Sequence, residues 1–166
     1  MPLDPGRSIA VAEAHPANRG VLAHLRARTS EGAPLTARPG DVPSPYLGLG
    51  AHPDVVERVW DQLGWALSED CRCIVHGTPA LVDPGTGLVL ALALGTSYVL
   101  RIAPADLEGS LAAGARTTHA FAGGGTLDLA TFGPGWVFGQ FAAIEADQLA
   151  AARAYASHLG DRDWAS

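Results

Sequence analysis

The chain is 166 residues long, 48% hydrophobic and 17% charged, a balance that suits a packed core and not a disordered chain. Its formal net charge of -6 is unevenly placed: residues 1–50 hold five Arg against four acids, and the rest holds six Arg against thirteen acids. An acidic body argues against phosphate neutralisation on nucleic acid and against docking on an anionic membrane, and it permits a basic protein partner.

All 11 basic residues are arginine, scattered along an Ala- and Gly-rich chain, which reads as genomic compositional bias rather than as an anion site. The opening residues lack a basic n-region and an apolar h-region, and the longest apolar run, 88–94, is far too short to span a bilayer. The only cysteines, Cys71 and Cys73, are one residue apart and make no secreted-type disulfide framework. A reduced, cytoplasmic protein is the expectation.

In chain order, residues 8–30 carry helical character, with Val21, Leu22 and Leu25 as one stripe and Pro16 near a start or interruption. A Pro- and Gly-rich crossing follows over 32–45, so the spacing predicts an N-terminal extension, 1–45, and a compact domain, 46–166. Pro53 opens a helix whose inner face is Val55, Val56, Val59, Trp60, Leu63 and Leu67, with Asp54, Glu57, Arg58, Asp61 and Gln62 outside. Strands are predicted over 71–76, 79–82, 88–94 and 98–102. The turn chemistry of Asp83-Pro84-Gly85-Thr86-Gly87 separates the second from the third. The continuously apolar 88–94 reads as a central strand covered on both faces.

A short helix follows over 105–113, with Leu107 and Leu111 on one face. Strands are then predicted over 117–122, 126–131 and 136–138, and a last helix over 144–158. Connections this short close only antiparallel pairs. The predicted fold is therefore a single α+β domain. Its antiparallel sheet has about five to seven strands, with flanking helices on one face or at its ends.

No motif of established chemistry appears. HExxH, GxSxG, GxGxxG and the phosphate-binding GxxxxGK[ST] are all absent. If there is catalysis, His76 is the preferred group, because it ends a strand beside Gly77. Asp83, Arg101 and His119 are the other candidates for an acid–base or anion-binding group. Each also has a structural reading: Asp83 caps its own turn, Arg101 makes an ion pair, and the histidines are hydrogen-bonded. Alternation on a strand would point the thiols of Cys71 and Cys73 to one face with Val75, as small buried hydrophobes; two thiols are too few for zinc.

Trp136, Phe138 and Phe141 form an aromatic cluster that packs inside, with Trp60 and Trp65 as neighbours, or serves as an interface hot spot. No metal and no cofactor are expected. The favoured function is a small acidic binding protein of accessory, inhibitor or immunity type, with binding through Trp136, Glu57 and Asp61. The alternatives are a small enzyme around His76, Arg101 and Asp83, and a small-ligand sensor or oligomeric structural domain. Monomer and homodimer both stay open.

Overall fold

The computed structural model describes residues 11–28, 34–39, 51–63, 71–102, 104–112, 114–120, 124–133 and 135–139. Helix α1 (Pro16–Arg28) comes first, then strand β1 (Thr36–Ala37) and helix α2 (Pro53–Glu57), which runs on as a π-helical segment (Arg58–Leu63). Next are β2 (Arg72–Val75), β3 (Thr78–Val82), β4 (Val89–Leu94), β5 (Ser97–Arg101) and helix α3 (Pro104–Ala112). A hairpin of β6 (Thr118–Ala120) and β7 (Thr126–Asp128), a 3₁₀ segment (Leu129–Phe132) and β8 (Trp136–Gly139) complete the described part.

The main sheet has six strands in the order β1-β2-β3-β4-β5-β8, every neighbour antiparallel. The protein is thus an α+β domain with an antiparallel sheet, as the turn chemistry predicts. His76 and Gly77 connect β2 to β3 with φ of 45° and 76°, the pair of positive values that a two-residue hairpin turn needs. Gly95, at φ 60°, opens the equally tight turn into β5.

Strand β4 is buried along its whole length. Its register explains how. Leu81 faces Ala91 and Val82 faces Val89, so Leu90 is an extra residue in a bulge. The bulge breaks alternation, and Leu90 and Ala91 join the same core.

Two cores result, one on each side of the sheet. Val55, Val56, Val59 and Trp60 of the α2 segment cover one side, packing on Ile74, Leu81, Leu90, Tyr98 and Leu100, and Leu107 of α3 joins them. The Trp60 indole donates to the Ala80 carbonyl at 2.9 Å. Val21, Leu22 and Leu25 of α1 cover the other side, together with Leu127, Leu129, Phe132, Trp136 and Phe138. Helices therefore flank both faces rather than one. The described part of residues 1–45 supplies α1 and the edge strand β1 to this body.

Three local expectations are corrected. The helix from Pro53 loosens to π spacing at Arg58. Residues 129–131 are 3₁₀ rather than strand, because the Asp128 carboxylate accepts the Ala130 N–H at 2.9 Å and starts a helical turn. Leu111 is exposed, so only Leu107 of the α3 pair packs inward. The predicted helix over 144–158, together with Leu67, Trp65 and Phe141, lies outside the described residues.

Candidate functional site

His76 occupies the left-handed turn between β2 and β3, and its N–H donates to the Leu35 carbonyl at 3.0 Å. It is 8% exposed. Burial holds its imidazole below the ordinary value, Arg26 adds to that effect, and Glu13 opposes it.

Arg101 ends β5 opposite Trp136 and is 2% exposed. Its guanidinium donates to the Ala17 carbonyl in the first turn of α1 and stacks over the Trp136 ring, 4.9 Å from the centroid. Burial of an arginine is tolerable here because a backbone acceptor and an aromatic face replace part of its water.

Asp83 follows β3 and serves its own turn. One carboxylate oxygen accepts the Gly85 N–H at 3.2 Å, and the other accepts the Thr86 hydroxyl at 2.9 Å. His119, on β6, lays its ring against Phe138 at 5.4 Å.

Register shows which of these meet. Val75 pairs with Thr78, and Leu94 with Ser97, at one end of the sheet; Arg101 and Trp136 pair at the other. His76 extends the first end. It also lies three strands from Arg101, roughly 14 Å across the sheet at the usual strand spacing. Asp83 shares the Arg101 end, two strands away. His119 sits by β8, at the far side of the sheet from His76. The four candidates do not form one group.

Trp136 is buried, edge-on to Phe132 at 5.5 Å. It packs on the α1 side, whereas Trp60 belongs to the α2 core, so the two are not neighbours. Trp136 is thus a core residue and no exposed hot spot. Glu57 and Asp61 are exposed on the outer side of the α2 segment, next to exposed Asp54. Asp61 pairs with Arg72 at 3.3 Å.

The thiols also differ from expectation. Cys71 lies in the core under α2, and Cys73, with Val75, in the core under α1. Cys71 sits in a 3₁₀ turn before β2 begins, so strand alternation does not reach it. Burial pushes the Cys73 thiol up to about 11. Among the described residues, no three His, Cys, Asp or Glu side chains group as a metal site needs.

Two features are missed from sequence, the His15 cap and the Asn18 clamp, whereas His52 before Pro53 reads there as a helix entry with a local structural role. His15 and His52, each followed by proline, use Nδ1 to accept the N–H two residues on, at 3.0 and 3.1 Å. Both are helix caps, and the His15-Pro16 pair could have signalled the first as the His52-Pro53 pair signals the second. Asn18 is fully buried and ties α1 to the loop before β4: its amide group donates to the carbonyls of Ala12 and Gly87, and its oxygen accepts the Val89 N–H.

Among the described residues, no helix is long and apolar enough to cross a membrane. No protein-family model, no curated protein and no solved structure matches the chain.

Proposed function

We propose that this is a small acidic cytoplasmic protein that acts by binding another protein, as an accessory or inhibitor, immunity-type neutralisation included. The observation that carries this reading is the dispersal of His76, Arg101, Asp83 and His119: Arg101 and Asp83 serve the fold, and His76 lies at the opposite end of the sheet. An enzyme built on these groups needs them in one pocket.

The exposed Asp54, Glu57 and Asp61 give the outer side of the α2 segment a negative character that suits a basic surface. The complementary charge would raise the association rate more than the affinity, and salt would weaken it.

A tagged pull-down from the native host, read by mass spectrometry, tests the reading. One stoichiometric protein partner is the expected result. A chain that elutes alone and monodisperse would count against it and move attention to small ligands.

A further inference from the structure

His52 caps the α2 segment from an exposed position, and its Nδ1 faces two groups of one residue. The Asp54 N–H nitrogen stands 3.1 Å from it, and the Asp54 carboxylate oxygen Oδ2 stands 3.7 Å from it. A backbone N–H only donates, so the cap needs Nδ1 bare and the ring proton on Nε2. A carboxylate only accepts, so it is answered when Nδ1 carries a proton. Each partner therefore suits one charge state of the ring.

The backbone here is fixed whichever partner is taken. The His52 N–H donates to the Gly95 carbonyl at 2.7 Å, and the His52 carbonyl accepts the N–H groups of Val55 and Val56 at 2.9 and 3.1 Å. Ala51 bridges Gly95, and Val55 and Val56 are packed in the core. The side chains of His52 and Asp54 are 56% and 83% exposed, so they can exchange partners without moving any part of that core.

We propose that His52 is a pH-controlled cap: neutral, it holds the first turn of the α2 segment and leaves the Asp54 carboxylate to a basic partner; protonated, it takes that carboxylate for itself.

Histidine is the side chain that changes charge between about pH 5 and 8. Among the described residues, Asp54 is the charged group within ion-pair reach of the His52 ring, and the turn that holds the His52 backbone, Gly95-Thr96, carries no charge. Protonation also sets a cation at the positive end of a helix, which works further against the cap. Of the three described acids on the outer side of the segment, Asp61 already pairs with Arg72, and protonated His52 would occupy a second. The consequence for binding rests on that acidic side being the surface through which the protein acts.

NMR of the full chain tests the switch. The imidazole nitrogen shifts should show Nδ1 bare and Nε2 protonated at about pH 8, and the Asp54 amide should move with the His52 titration down to about pH 5.5. His52→Asn, which caps without titrating, should keep the fold and lose that movement. An oligoarginine peptide at low salt then reads the surface. Its binding should weaken between the two pH values about threefold more for the natural chain than for His52→Asn. A proton on Nδ1 at about pH 8, an Asp54 amide that moves equally in His52→Asn, or equal weakening of the two chains would overturn the switch and leave the binding surface standing. No peptide binding at either pH would overturn the surface, and with it the consequence for binding, whatever the ring does.

Discussion

The side-chain oxygen of Asn18 accepts the Val89 N–H at 3.0 Å, and its amide nitrogen donates to the Gly87 carbonyl at 2.9 Å. One buried side chain thus completes the backbone bonding where β4 begins and fixes α1 across the sheet. Asn18→Ala removes three hydrogen bonds, taking this partner from the Val89 N–H and the Ala12 carbonyl while the Gly87 carbonyl keeps the Ala12 N–H, and should cost about 2–4 kcal/mol of folding stability in a denaturant titration. A loss below about 0.5 kcal/mol would mean that the clamp is not what holds α1.

Gly20 allows α1 to approach the 3₁₀ segment. A Cβ built there would stand 2.3 Å from the Thr131 carbonyl oxygen and 3.1 Å from Phe132 backbone atoms. Backbone on both sides cannot yield cheaply, so Gly20→Ala should destabilise by about 1–3 kcal/mol. Gly109, inside α3, has nothing within 4 Å of the same position. Gly109→Ala should therefore stabilise by about 0.5–1 kcal/mol through helix propensity. Thermal melts of the two variants should move in opposite directions.

Cys73 offers a pH test. Its thiol is raised from 9.0 to about 11 by burial, so the folded state holds the proton more tightly than the unfolded state does. The stability this gives is complete below pH 9 and is lost as the pH rises through about 11. A disulfide reagent at about pH 8 should therefore label neither Cys71 nor Cys73 in the folded protein and both once it is unfolded. Rapid labelling of the native chain would contradict the buried placement.

Arg101→Ala removes both the donor to Ala17 and the cation over Trp136. A structural role predicts a lower melting temperature, about 2–3 kcal/mol of lost stability and altered tryptophan fluorescence. Unchanged stability would return Arg101 to the list of ligand-binding groups.

Much of the fold was legible because short turns with Gly and Pro leave few options. Asp83 to Gly87 and Gly95 announce hairpins, and the apolar 88–94 announces a doubly covered strand. What was not legible depends on partners distant in sequence. The stripe Val21, Leu22 and Leu25 looks like a modest amphipathic helix, and nothing local says that it covers one side of the sheet together with Leu127, Leu129 and Phe132. The bulge at Leu90 and the separation of Cys71 from Cys73 arise from register and from a turn before β2, which period-two alternation cannot anticipate. The candidate site was read from residue types at strand ends. His76 and Arg101 are both at strand ends, but at opposite ends of the sheet, and only pairing reveals that.

The most direct measurement is partner binding by the chain carrying Glu57→Arg and Asp61→Arg, with Asn18-dependent folding checked by its unfolding curve. Calorimetry or surface resonance against the captured partner would read it. The account predicts an intact fold, slower association and at least about tenfold weaker binding, with the natural chain's affinity falling as salt rises. Unchanged binding by a folded double variant, insensitive to salt, would contradict the acidic outer side of the α2 segment as the surface through which the protein acts.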